Sequence, residues 1–488
     1  MAKIYYHAVP QDWRKEQKYK FLDEHESVSK IDWTEITPDV KQNWLTAGME
    51  KEFDGFISIG NKEAKASKKS EVETIFGTFS NGIKTNRDTW TYNFQKEELS
   101  KNIQRTVGFF EEHRVRWNMP DNKMRVKRLR DTEVSLEQII DEFVTNDDSK
   151  ISWSGGLKAS ITRQDGLEFD VNKIRNSIFR PFQLTNLYFD RGLNERVYLM
   201  PSVFPTVAAE NENLVICVPS AGMRTDYWCF VSSFIPNLTL TSLDGNQCFG
   251  FYTYNEDGTN RRENITDWAL TQFREHYKAE TRPVGSVSLS DMDEEDTIAT
   301  ARVSASDCPD AKFASDISKW DIFYYTYAIL HHPEYREKYA ANLKRELPRI
   351  PFARDFWGFA QAGKELADIH VGYEEQPEYK LDMIESGKLA LDWRVERMKY
   401  AQGKTAIVYN EFLTIGGIPP EVHEYRLGNR SALDWIVDQY KVSIDKRSGI
   451  TNDPNRDDDP QYIVRLIKKI VNVSLKTNEI VKELPGLS

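Results

Sequence analysis

Three stretches of the sequence gather side chains that could bind an anion. The first is Asn81-Gly-Ile-Lys-Thr-Asn-Arg-Asp88, which lies before Trp90 and Tyr92. Gly82 permits close approach by another backbone, and Lys84, Thr85, Asn86 and Arg87 all carry donors suited to a phosphate. The same residues also read as a structural turn with Arg87 and Asp88 in solvent. The second runs from Arg114 to Arg130 and holds seven basic residues, Arg114, Arg116, Lys123, Arg125, Lys127, Arg128 and Arg130, against the single acid Asp121. Charge runs are commonly solvated faces, but this one is unusually one-sided. The third is Arg175-Asn-Ser-Ile-Phe-Arg-Pro-Phe182 with Tyr188-Phe-Asp-Arg191. Arg180 and Arg191 could meet phosphates, or the arginines could pair with Asp190, and simple packing is the plainer reading.

Much familiar chemistry is missing from the sequence. It has no Gly-x-x-x-x-Gly-Lys-Ser/Thr loop and no Gly-x-Gly-x-x-Gly between a strand and a helix. It has no Asn-Pro-Pro-Tyr tetrapeptide, no His-Glu-x-x-His and no Cys-x-x-Cys. Cys217, Cys229, Cys248 and Cys308 are widely spaced and read as small core residues. His331-His332 lacks acidic or Cys company and reads as the end of a helix rather than a metal pair. Trp320, Phe323, Tyr324, Tyr325 and Tyr327 could stack bases, but helical spacing favours a core stripe.

The elements that would position these groups follow from periodicity. Residues 2–8 read as a strand with nothing before it to pair with, and Trp13–Leu22 reads as helical. Thr74–Phe79 reads as a strand. Phe94, Leu99, Ile103, Val107 and Phe110 recur at helical spacing, which predicts a helix over 95–116. Pro120 marks a break, so a boundary is expected near 117–130. Ser135-Leu-Glu-Gln and Ser431-Ala-Leu-Asp have the capping-box form that opens a helix. Arg175–Phe182 is expected to join a short helix to a strand.

Short apolar runs at Leu214–Val218, Tyr227–Val231, Leu238–Leu240 and Cys248–Tyr254 predict a β-rich region. Helices are expected at Ile265–Tyr277, Ile317–His331, Glu334–Glu346, Ser431–Val442 and 460–474. Short strands are expected near Ala390–Met398 and Thr405–Tyr409. The stretch 279–312, with five acids between Asp291 and Asp296, reads as an exposed loop.

The chain has 488 residues, with 25 Phe, 22 Tyr and 12 Trp, ample surface for a buried core. Apolar runs are far too short for a membrane span. There is no N-terminal apolar segment of the secretory kind. Four cysteines in this length do not make a disulfide framework, so a reducing cytoplasm is expected. The net charge of −11 argues mildly against a nucleic-acid partner, but an acidic protein can carry a basic face.

Taken together, these segments resemble the C-terminal part of type ISP restriction–modification enzymes. Those are single polypeptides with nuclease, translocase, adenine methyltransferase and target-recognition parts. Ala2-Lys-Ile-Tyr-Tyr-His-Ala8 is similar to the strand that follows the methyltransferase's catalytic half. Asn81–Asp88 with Trp90-Thr-Tyr-Asn-Phe94 resembles a signature shortly after it. Ile178-Phe-Arg-Pro-Phe182 with Leu187-Tyr-Phe-Asp190 resembles the family's specificity domain. So do Tyr325–Leu330, His332-Pro-Glu-Tyr-Arg336, Glu346-Leu-Pro-Arg-Ile-Pro351, Tyr425-Arg-Leu-Gly428 and Ser431-Ala-Leu-Asp-Trp435.

The resemblance implies a mixed α+β fold. Residues 1–116 would be the remnant of a Rossmann-like methyltransferase. Residues 117–312 would be a β-rich part, and 313–488 a more helical part, of a two-part α/β specificity domain. It implies recognition of double-stranded DNA, with no catalytic residue and no metal site in this chain. S-adenosylmethionine, ATP and Mg²⁺ would serve methyltransferase, translocase and nuclease parts absent from it, supplied upstream or in trans. The candidate DNA contacts are Lys84, Thr85, Asn86, Arg87, Arg114, Arg116, Arg125, Lys127, Arg128, Arg130, Arg180 and Arg191. A protein-interaction scaffold and a stand-alone nuclease are the rival readings.

Overall fold

The computed structural model describes residues 3–10, 13–38, 44, 48–66, 72–278, 317–387 and 391–487. The fold is mixed α and β. Its sheets are small and mostly antiparallel. One joins Tyr92–Asn93, Gln183–Tyr188, Ile174–Arg180 and Ile235–Pro236 in that order, and only the last pairing is parallel. A second joins Asn246–Gly250, Val215–Pro219 and Phe230–Ser232, all antiparallel. A third orders Asp382–Glu385, Leu413–Gly416, Ile407–Val408 and Lys399–Tyr400.

The N-terminal strand is not an unpaired edge. Ile4–Tyr6 pairs antiparallel with Thr34–Ile36, around a helix at Lys15–His25. That partner segment is short, carries Trp33 before it and lacks a run of alternating apolar residues, so its strand character is invisible in the pattern. Thr74–Phe79 is likewise not a ladder strand; Phe76 makes one isolated bridge to Ile265. Arg175–Phe182 is a strand and turn within a hairpin, not a helix. Leu238–Leu240 is a bend following the short strand at Ile235–Pro236.

Three apolar clusters hold the molecule together. One packs Leu99, Ile103 and Phe110 against Ile140, Leu157, Ile161 and Tyr188. A second joins Phe53, Ile59, Phe76 and Phe249 to the aromatic stripe of helix Lys319–His331 and to helix Phe356–Val371. The third joins Phe182, Phe230 and Cys248 to Tyr373, Ile415, Trp435 and the apolar face of helix Tyr462–Lys482. Residues far apart in sequence therefore share each core. Ile57–Ser58, for instance, pairs with Arg349–Ile350.

Helix Lys96–Trp117 forms where its apolar spacing requires. Pro120 stands at the first turn of a further helix, Pro120–Asp131, where its missing N–H costs nothing. Both capping boxes are present. Ser135 Oγ accepts from the Gln138 N–H at 3.2 Å, and Ser431 Oγ accepts from the Asp434 N–H at 3.1 Å. Glu334–Glu346 divides at Tyr339 into Pro333–Lys338 and Ala340–Leu343. The last helix runs to Lys482, well beyond 474.

Cys217, Cys229 and Cys248 are buried, as expected of core residues. Cys308, the acidic run and the stretch expected as a loop at 279–312 lie outside the described residues.

Candidate nucleic-acid interface

The loop Asn81–Asp88 is braided into the sheets. The Asn81 amide donates to the Asn246 carbonyl at 2.9 Å, and the Gly82 N–H donates to Asn246 Oδ1 at 3.0 Å. The close approach that Gly82 permits is by a protein carbonyl, since a Cβ there would stand 2.6 Å from the Asn237 oxygen. Ile83 N–H donates to the Pro236 carbonyl at 2.9 Å. These bonds fix the loop and decide which of its side chains reach solvent.

Lys84 and Asn86 point outward, and Asn86 adopts the left-handed backbone with φ 57°. Thr85 and Arg87 are turned inward. Thr85 donates its hydroxyl to Asp88. The Arg87 residue is only 3% exposed. Its guanidinium donates to the Thr85 and Leu193 carbonyls, to the Ser152 carbonyl at 3.3 Å and to Ser154 Oγ at 2.7 Å. Glu195 lies 3.8 Å away. Burial pushes the Arg87 pKa down to about 10, and the Glu195 charge opposes that shift. Of the donors that sequence reading offered to a phosphate, those of Thr85 and Arg87 are spent within the protein.

Lys84 faces a cation that sequence reading missed. Its N–H donates to the Arg196 carbonyl and the Arg196 N–H donates back, both at 2.9 Å. Both residues are exposed. Like charges directly opposite one another on paired chains repel, so this rung gains from an anion between them. Only long-range pairing, absent from any local pattern, brings Arg196 to Lys84.

The basic segment 114–130 divides by geometry. Arg114 is half-buried and pairs with Glu111 at 2.6 Å. Arg116 lies over the Phe143 ring, 5.2 Å from its centroid. The remaining cations sit on helix Pro120–Asp131, which has no buried residue. Val126 and Leu129 lean on the cluster around Phe110, while Lys123, Arg125, Lys127, Arg128 and Arg130 are exposed. Arg125 is 3.9 Å from Glu142. Among the described residues, Lys123, Lys127, Arg128 and Arg130 make no ion pair.

Lys123, Lys127 and Arg130 line a cleft of about 590 Å³, together with Trp117, Asn118, Val126, Asp131, Thr162 and Gln164. The spacing i, i+4, i+7 could have revealed this face, had the segment been read as a helix beginning at Pro120.

The third stretch is largely committed within the protein. Arg175 forms a buried ion pair with Glu210 at 2.6 Å. Lys173, not an arginine, pairs with Asp190 at 2.6 Å. Arg191 is exposed and paired with Glu256. Arg180 lies 4.1 Å over the Phe179 ring and donates to the Phe179 carbonyl at 2.8 Å; burial lowers its pKa. Among the described residues, no group of three or more His, Cys, Asp or Glu side chains is placed to hold a metal ion. Nor is any described helix long and apolar enough to cross a membrane.

A family model described as the type ISP C-terminal specificity domain matches residues 74–466. The chain belongs to this family. Its fold is similar to those of three solved type ISP or related structures. A nuclease-deletion mutant of the type ISP restriction-modification enzyme LlaGI, in complex with a DNA substrate mimic, is 30% identical with a TM-score of 0.77, covering 100% of this chain and 39% of that one. A DrdV–DNA complex is 29% identical with a TM-score of 0.78, covering 100% of this chain and 43% of that one. The ATP-dependent type ISP restriction-modification enzyme LlaBIII bound to DNA is 26% identical with a TM-score of 0.75, covering 97% of this chain and 27% of that one. This type ISP specificity chain thus spans about two fifths of the first two. No curated protein matches it.

Proposed function

We propose that this chain recognises a target sequence in duplex DNA as the specificity part of a type ISP restriction–modification system. The observation that carries the reading is the family match over 74–466, joined to whole-chain likeness to proteins solved with DNA. Phosphate contacts from exposed Lys and Arg set register, and polar side chains read base edges. The exposed candidates for the phosphate role are Lys84 with Arg196, and the cations of helix Pro120–Asp131.

In this reading the catalytic work belongs to parts outside this chain. S-adenosylmethionine, ATP and Mg²⁺ act there, and the site of action is the cytoplasm. The three-part division remains our proposal, but with its first boundary moved from 116 to near 74, so that the residues before it are the end of a Rossmann-like methyltransferase. Two features support drawing that boundary near 74. The family model begins there, and helix Lys96–Trp117 shares its core with residues 139–193.

A titration of a labelled duplex with the purified full chain at rising salt tests the proposal. Binding is expected to weaken linearly in log K against log salt, by about 0.9 per phosphate contact. Failure to bind duplex at any salt, with capture of a stable protein partner, would replace this reading with the scaffold one.

A further inference from the structure

Helix Pro120–Asp131 has no buried residue and leans on a core only through Val126 and Leu129, yet carries cations on two other faces. At 100° per residue, Lys123, Lys127 and Arg130 fall on one face, and Arg125 and Arg128 on the opposite one. Only the first face looks into the cleft. The opposite wall, from Thr162 and Gln164, is neutral and polar. Trp117, Asn118 and Val126 complete the lining, and the Asp131 carboxylate is its single acid.

Charge is therefore concentrated on one wall, in a ladder. Seven residues of helix separate Lys123 from Arg130, about 10 Å of rise. One strand of duplex DNA advances about 3.4 Å along the axis per phosphate. Along the backbone itself successive phosphates stand about 7 Å apart, roughly twice that axial step, so the ladder spans about two to three phosphates of a single strand. Three cations in a row on one wall, without an ion pair among the described residues and facing a neutral wall across the cleft, suit a linear polyanion better than a compact one.

We propose that this cleft is a channel for one strand of the DNA backbone, held by Lys123, Lys127 and Arg130 without reading sequence. Arg125 and Arg128 are outside it. The inference rests on the DNA-recognition reading and deepens it by assigning the backbone contacts to one face of one helix.

Two double variants of equal charge separate the faces: Lys127→Gln with Arg130→Gln, and Arg125→Gln with Arg128→Gln. Neither removes a buried side chain, and circular dichroism and a thermal melt confirm that each folds. Each is titrated at several salt concentrations on one duplex, alongside wild type. The cleft variant should flatten the slope of log K against log salt by about 1.8, two contacts at about 0.9 each. The outer variant should keep the wild-type slope.

Equal flattening in both variants would overturn the channel in favour of a diffuse field. An unchanged slope in the cleft variant, with wild type still binding duplex, would overturn the channel and leave the DNA reading standing. Wild type that binds no duplex would overturn both. Inorganic tripolyphosphate is titrated separately at matched ionic strength. If wild type binds tripolyphosphate and the cleft variant does not, while both bind duplex with the same salt slope, the cleft is a site for a free polyphosphate, and the strand channel is wrong.

Discussion

Arg87 shows how a buried cation can organise a loop without touching a ligand. Its guanidinium ties the loop to Ser152, Ser154 and Leu193. Arg87→Ala would leave several buried acceptors without a donor, a mechanism that costs on the order of 2–4 kcal/mol. Urea unfolding should report that loss. The salt slope of DNA binding should stay at its wild-type value, because the side chain faces inward; a flattened slope would return Arg87 to the DNA surface.

His370 makes a second residue-scale prediction. Thr477 donates its hydroxyl to the Val473 carbonyl, so it accepts from His370 Nε2–H at 2.9 Å. Tyr327 then donates to His370 Nδ1 at 2.7 Å. The ring is held neutral in this arrangement, and burial first, with the Arg336 charge second, pushes its pKa down to about 3. Unfolded histidine titrates near 6.5. Between about pH 3 and 6.5 the unfolded chain therefore binds the extra proton, and stability falls as pH drops through that window. The steepest loss from this one group is about 1.36 kcal/mol per pH unit. His331, also depressed by burial, adds to the trend. Urea midpoints at several pH values should fall below pH 6.5, less steeply in His370→Asn than in wild type. Identical profiles for the two would contradict the neutral-ring account.

At the scale of elements, helices Lys319–His331 and Phe356–Val371 cross at Gly363. A Cβ there would stand 1.9 Å from the Tyr324 carbonyl oxygen. Alanine gains about 1 kcal/mol of helix propensity over glycine. Overpacking against a backbone atom costs about 1–3 kcal/mol, occasionally more, so Gly363→Ala should lower the melting temperature. A raised one would show that the helices can separate at no cost.

The same scale shows what the sequence could disclose. Helix Lys96–Trp117, both capping boxes and the aromatic stripe of Lys319–His331 were legible, because each depends on local spacing. The Ile174–Arg180 hairpin strand was mistaken because its polar Arg175, Asn176 and Ser177 hide the alternation. The cleft face was half legible. Its charges were plain, but their division into two faces depends on the helix starting at Pro120. The Lys84–Arg196 rung and the burial of Arg87 were not legible, since distant chain segments create both.

At the scale of the molecule, the cores interleave early, middle and late segments. Phe53 packs with Tyr335 and Tyr339, and Phe182 packs with Tyr373 and Tyr425. Such a body can hold its exposed loops and its basic helix in fixed register, as target recognition demands. The net charge of −11 then disfavours indiscriminate adherence to nucleic acid, leaving binding to the local basic faces.

The central claim is recognition of a particular sequence, and the most direct measurement is selection. The purified full chain is mixed with a pool of random duplexes at physiological salt, the retained duplexes are amplified, and the cycle is repeated before sequencing. The account predicts that one short motif rises through the rounds. It also predicts that each altered base pair within the motif weakens binding by about 1–3 kcal/mol. A retained pool that stays random after every round, or a chain that retains no duplex, would contradict it.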